Sequence, residues 1–220
     1  MTDATTHDAY LELQAIARLL HNVLLDYPTE DSIQYFVSNQ LNLTWPALQD
    51  SEANKQGKSL LGQFFSQWHP EQINNIKLDY GQLYFGPGEP NAMPWGSTYL
   101  GEQQILNDDS TISLMNFYKQ LGISFELKFN QPVDHIALFY AVIDQLLQQL
   151  IDEPDNKPAK EALMVLLQQH MLPWSGRCHE LAIKHAETDF YKGIALLASD
   201  FENVLAKTLN IIPMPMRLFR

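Results

Sequence analysis

Apolar residues recur at helical spacing along nearly the whole chain. Leu13, Ile16, Ala17, Leu20, Leu24 and Tyr27 fall at i, i+3, i+4, i+7, i+11 and i+14, and Pro28 stops that stripe. A short helix is predicted around Ile33, Phe36 and Val37. Another carries Leu60, Leu61, Phe64, Phe65 and Trp68 and ends at Pro70. Residues 71–84 read as helix through Ile73, Ile76, Tyr80, Leu83 and Tyr84, and then residues 86–109 break the pattern. Helix resumes around Leu114, Tyr118 and Leu121, with Gly122 as its stop. The longest stripe, Ile136, Phe139, Tyr140, Ile143, Leu147 and Leu150, runs to the polar turn 152–158. Leu163, Leu166 and Leu167 lie on a helix that Pro173 is expected to end. A short helix over 176–186 and a long one through Phe190, Ile194, Leu197, Phe201 and Leu205 follow. Phe125 to Phe129 alternates briefly, too little for a sheet. The reading is all-α: one domain over 1–220, a bundle of roughly eight to ten helices with one long aromatic-, Pro- and Gly-rich loop.

Composition fits a globular chain of 220 residues, 45% hydrophobic and 18% charged. The single cysteine, Cys178, excludes an internal disulfide and a thiolate cluster. The first residues have neither a basic nor an apolar run. No stretch reaches about 18 apolar residues, the span of a bilayer. The expected location is therefore the cytoplasm, with no transmembrane segment. The formal net charge of −12 repels nucleic acid and favours a basic partner, although an acidic surface also serves solubility alone.

Catalytic motifs fail on inspection. Gly57-Lys58-Ser59 lacks the earlier glycine of a phosphate loop, since position 52 is Glu52, and it follows no strand. His179 and His185 are six apart and do not share a helix face, so no metal site is expected. Asp134 and His135 are neighbours that point apart, and no nucleophile motif accompanies them. The expectation is a protein that is no enzyme, with no cofactor and no metal.

The informative segment is 80–99, YGQLYFGPGEPNAMPWGSTY, with five aromatics in twenty residues against 11% for the chain. Prolines there fix φ and lower the entropy of the free loop. The aromatics either anchor this loop to the core or form a preorganised apolar surface for a peptide. A second segment, Asn130-Gln-Pro-Val-Asp-His135, opens the long helix. Asn130 is a fair N-cap and Pro132 suits a first turn. Asp134 lies near the positive helix end, either as a capping element or as an acidic contact.

These motifs resemble the TorD/DmsD family of redox-enzyme maturation chaperones. The family pattern of Tyr-x-x-Leu-Phe, a Gly-Pro turn and Pro-Pro-Trp is matched by Tyr80, Leu83, Tyr84, Gly86, Pro87, Pro94 and Trp95. Glu-Pro-x-Asp-His is matched by Pro132, Asp134 and His135, and a later Leu-Pro-Trp by Leu172, Pro173 and Trp174. Pro94 to Ser97 and the closing Leu218-Phe219-Arg220 are similar to the dimethyl sulfoxide reductase branch. Gln131 stands in place of the usual Glu, Tyr84 in place of Phe, and Met93 in place of a Pro.

The resemblance implies a chaperone that binds the twin-arginine leader and the apo catalytic subunit of a molybdenum reductase. It would shield the leader until the cofactor is inserted and then release it to the Tat translocon, working as a monomer or a swapped dimer. Tyr80, Leu83, Tyr84, Pro87, Pro94 and Trp95 would receive the apolar part of the leader. Asp134, beside Pro132, would take an arginine, and His135 would orient Asp134 or touch the peptide backbone. The alternative is a helical protein holding a small molecule or cofactor in a bundle cavity.

Overall fold

The computed structural model describes residues 4–127 and 131–220, and for residues 4–6 the backbone alone. Among these residues the regular structure is helical: α1 (Ala4–Leu25), α2 (Glu30–Ser38), α3 (Leu41–Thr44), α4 (Glu52–Ser66), α5 (Ile73–Leu83), α6 (Ser97–Leu100), α7 (Asp109–Gln120), α8 (Ile136–Asp152), α9 (Lys157–Val165), α10 (Leu172–His185) and α11 (Asp189–Thr208). No strand is present among the described residues beyond one isolated antiparallel bridge, Trp95 with His135. The all-α reading holds. The chain forms two compact units, Met1–His21 with Pro94–Ser175 and Ala206–Arg220, and Asn22–Met93 with Gly176–Leu205.

In the first unit α8 buries most of its length, from Ile136 through Leu150, and packs beside α9. Its apolar residues cover more than one face, the pattern of a central helix. Pro173 does not end the preceding helix as expected. Residues Leu166–Met171 widen into a π-helix, in which the Leu172 N–H bonds to the Leu167 carbonyl, and α10 continues through the proline. Proline has no N–H and crowds the carbonyl four residues back, and the wider turn before it accommodates both effects. Carbonyls outside the α-helical pattern find other donors. The Trp174 indole donates to the His170 carbonyl at 2.8 Å, and the Met214 N–H donates to the Gln168 carbonyl at 3.0 Å.

In the second unit an aromatic cluster forms the core. Phe190 contacts Phe36 and Phe64, and Tyr191 contacts Tyr80 and Tyr84, at centroid separations of 5.4 to 6.2 Å. Gly57 belongs to this packing and to no phosphate loop. A Cβ there would lie 2.7 Å from Leu197 Cγ and 3.0 Å from the Gly193 carbonyl oxygen, so α4 and α11 cross at backbone contact. Lys58 donates to the Trp45 carbonyl at 2.8 Å.

Two other sequence expectations change. Residues 86–109 contain α6 and are not structureless. The long helix begins at Ile136 with His135 as its N-cap, so Pro132 precedes the helix and is not in its first turn. The proposed cap Asn130 and the residue Phe129 lie outside the described residues.

The α4–α11 crossing predicts that Gly57→Ala lowers stability by about 1–3 kcal/mol through overpacking. Urea unfolding followed by circular dichroism measures it, and unchanged stability would show that the crossing yields at no cost.

Candidate functional site

The nine candidate residues fall into two groups, one in each unit. In the first unit, Pro94–Gly96 lies antiparallel to Asp134–Ile136. The Ile136 N–H donates to the Pro94 carbonyl at 2.7 Å and the Gly96 N–H to the Asp134 carbonyl at 3.1 Å. Pro94 suits this place because the pairing asks only for its carbonyl. The Trp95 ring meets the His135 ring edge-on at 5.5 Å. Two segments about forty residues apart in sequence are thereby joined through backbone.

The Asp134 carboxylate strengthens the joint. Its Oδ2 accepts from the Ser97 N–H at 2.7 Å, at the first residue of α6, where a helix offers unpaired N–H groups. Asp134 is 3% exposed. Burial raises its pKa above the usual carboxylate range, while the Ser97 and Thr111 hydroxyls and the Ser97 N–H oppose the rise. Burial and the Asp134 charge together push the Tyr118 phenol up.

His135 caps α8. Its Nδ1 accepts from the Ala137 N–H at 3.2 Å, so the neutral ring carries its proton on Nε2. Burial, with a smaller contribution from His21, lowers its pKa to about 3. His21 Nδ1 lies 2.8 Å from the Ala137 carbonyl oxygen.

The Leu172-Pro173-Trp174 motif also reaches this joint. The Trp174 ring lies against Gly96, where a Cβ would sit 2.8 Å from the indole nitrogen. Tyr99 stacks on Trp174 at 5.4 Å and 25°. In the sequence Trp174 stands out only as part of the Leu-Pro-Trp motif. Its partner Gly96 is the residue whose missing side chain makes the approach possible.

In the second unit Tyr80, Leu83 and Tyr84 share one face of α5 and its end, as their spacing predicted, and all three are buried. The Tyr80 hydroxyl donates to the Leu24 carbonyl at 3.1 Å, and its ring contacts Tyr27, Tyr84 and Tyr191. Burial, with a smaller contribution from Asp26, raises the Tyr80 pKa. Pro87 lies in the turn beyond and is exposed. Gly86 is required there, since a Cβ would fall 2.4 Å from the Gly81 carbonyl oxygen.

Sequence reading missed Asp79. Its two carboxylate oxygens accept from the Glu187 and Thr188 N–H groups at 3.1 and 2.8 Å, and the Thr188 hydroxyl also donates to it, just ahead of α11. Burial raises its pKa, opposed by these three bonds. The signal was present: Ile76, Asp79, Tyr80 and Leu83 form a single stripe, and one of the four is an acid. His179 and Glu202 form another buried pair at 2.8 Å, which accounts for His179 without a metal. Among the described residues no group of three or more His, Cys, Asp or Glu side chains is placed to hold an ion.

Seven of the nine candidates are therefore buried, while Pro87 is exposed and Pro132 half-buried. Each of Tyr80, Trp95, Asp134 and His135 makes contacts that hold the protein's own chain in place. In each unit the candidates act as a clamp on a loop.

A family profile described as "Nitrate reductase delta subunit" matches residues 48–180, which contain both the 80–99 segment and Pro132 to His135. The chain belongs to this family. Its curated relatives include the Tat proofreading chaperone DmsD of Salmonella typhimurium, 28% identical over 172 residues, covering 78% of this chain and 76% of that protein. A probable Tat proofreading chaperone DmsD of Haemophilus influenzae is 27% identical over 190 residues, covering 84% of this chain and 86% of that one. The chaperone protein TorD of Aliivibrio fischeri is 23% identical over 137 residues, 61% of this chain and 64% of its own. The resemblance read from the motifs agrees with these relatives, and the relatives are named as chaperones.

The buried histidine gives a pH prediction with a definite sign. A histidine whose folded pKa lies below 6.5 binds its proton more tightly when unfolded. Its contribution to stability is complete above the unfolded pKa and is lost as pH falls toward the folded one. Asp134 and Asp79, with raised pKa values, act in the opposite direction. Lowering the pH to about 5 is expected to cost about 2 kcal/mol through His135. His135→Asn keeps a capping side chain and removes that share, so its melting temperature should fall less on acidification than that of the parent. Equal falls in both proteins would contradict the assignment.

Proposed function

We propose that the protein is a cytoplasmic, non-catalytic chaperone that binds the twin-arginine leader of a molybdenum reductase's apo catalytic subunit and delays its export. The observation that carries this reading is the family match, which spans both motif segments, with relatives named Tat proofreading chaperones. Two further facts support it. The net charge of −12 suits a basic leader. No helix among the described residues is long and apolar enough to cross a membrane.

The buried state of the candidate residues sharpens the mechanism. A leader gains little from Trp95 or Asp134 while both are covered, so engagement requires the Pro94–Tyr99 segment to loosen. The pairing with Asp134 then sets how readily it does so. Once uncovered, Trp95 offers apolar area, and the Asp134 carboxylate offers an arginine the acceptor that Ser97 held. Within the first unit, Pro94 is proposed as apolar lining beside Trp95, and Pro132 and His135 as the frame that orients Asp134; within the second, Tyr80, Leu83, Tyr84 and Pro87 are proposed as apolar contacts for the leader. Such a mechanism costs affinity to open the loop, which suits a chaperone that must release its client.

Calorimetric titration with a synthetic leader at two salt concentrations tests the assignment. Asp134→Asn retains an oxygen for the Ser97 N–H, so it should fold, bind the leader more weakly and lose part of the salt dependence. Trp95→Ala should weaken binding by about 1–3 kcal/mol with the salt dependence kept. Tyr35→Ala, at an exposed position of α2, serves as the control and should change neither. Parental affinity in a folded Trp95→Ala, Asp134→Asn double variant would remove these residues from the site.

A further inference from the structure

Residues 211–220, Ile-Ile-Pro-Met-Pro-Met-Arg-Leu-Phe-Arg, follow α11 without regular structure and lie along the first unit. Hydrogen bonds to the first unit hold residues 212–219. The Met214 N–H donates to the Gln168 carbonyl at 3.0 Å, and the Phe219 N–H to the Tyr99 carbonyl at 2.9 Å. The Gln168 amide donates to the Ile212 carbonyl at 2.9 Å, and the Gln104 amide to the Phe219 carbonyl at 2.7 Å. Every one of these bonds is made to backbone atoms of the segment. Beyond buried Ile211 its large apolar side chains pack only in part: Ile212, Met214 and Met216 are 79%, 44% and 47% exposed, and Leu218 and Phe219 are half-buried.

A segment kept only for stability would be expected to bury its large apolar side chains. A grip on main-chain atoms instead accepts many sequences, which is how domains that bind extended peptides gain affinity. The track is also prepared for such use. The Gln168 carbonyl faces this segment because the π-helix ahead of Pro173 leaves it outside the helical pattern, and Tyr99 belongs to α6, whose first N–H Asp134 holds. The segment is basic and apolar in a strongly acidic chain. Arg217 and Arg220 flank Leu218 and Phe219, and the Arg217 guanidinium lies 4.8 Å from the Phe219 ring centre. Buried Leu209 and Ile211, on either side of the left-handed turn at Asn210, anchor its start. The residues beyond can therefore lift off while α11 stays in place.

The geometry points to residues 212–219 as a resident occupant of a peptide track formed by Gln168, Tyr99 and Gln104, displaced by an extended peptide that carries arginine and apolar side chains. The choice of a leader as that peptide rests on the function proposed above. An occupied track lowers the apparent affinity of an incoming peptide by the fraction of molecules in which the track is open. The segment thus sets a threshold that a weakly matching peptide fails to pass.

The test uses the full chain with Met214→Pro and Phe219→Pro, which delete the two N–H donors on the segment and leave the track intact. Melting curves check that the variant remains folded. A synthetic twin-arginine leader should bind the variant about three- to tenfold more tightly than the parent. A free peptide of sequence 211–220, in excess, should bind the variant, compete with the leader and bind the parent poorly. Equal leader affinity for parent and variant would overturn the proposal, as would failure of the free peptide to bind the variant. If the leader binds neither protein while the free peptide binds the variant alone, the track stands and the leader-binding function falls.

Discussion

An ionised carboxylate inside a protein is stable only with donors around it; otherwise burial drives it toward its neutral form. Asp134 meets part of this demand with the Ser97 N–H, which ties its segment to the start of α6, while burial still raises its pKa. Beside it, backbone bonds pair Pro94–Gly96 with Asp134–Ile136, and Gly96 lies against the Trp174 ring. His135, next in sequence, caps α8 and contacts Trp95. Replacing Asp134 with alanine would leave a buried N–H unsatisfied, a cost of about 1–3 kcal/mol, and would free the loop that carries the aromatic residues. In the proposed mechanism that one bond governs both the stability of the loop and the access of a peptide to it.

The proposed function depends on loop structure through this constraint. The sequence left two readings of the loop aromatics open, anchor or binding surface. In the structure Tyr80, Tyr84, Trp95 and Tyr99 are anchors. Anchoring and binding are compatible where the anchor can release, because a ligand then competes with contacts made by the chain itself. Burial raises the pKa of Asp134, and the Ser97 bond through which it anchors the loop opposes that rise.

The helical fold was legible because long apolar stripes at three- and four-residue spacing admit few other structures. The stripe from Ile136 to Leu150 became α8, and Gly122, with φ of 68°, ends the turn after α7 as its position suggested. Features that depend on contacts distant in sequence were not legible. Pro173 was expected to end a helix, and periodicity holds no record of the π-helix that lets the chain continue. The role of Asp134 was half visible: its nearness to a helix start was legible, but the start lies two residues beyond it, and its partner Ser97 lies 37 residues away on a helix too short to show a stripe. Asp79 was open to detection as an acid within an apolar stripe. The grip on residues 212–219 was not, because it depends on backbone atoms that carry no residue-specific signal.

Amide hydrogen exchange, followed by mass spectrometry with and without a saturating twin-arginine leader peptide, tests the central claim most directly. A chaperone that engages the leader through the Asp134-held loop must change exchange at residues 94–99 and 133–137, with the largest effect at the Ser97 amide. A bound leader that leaves both segments at their free rates would contradict the account.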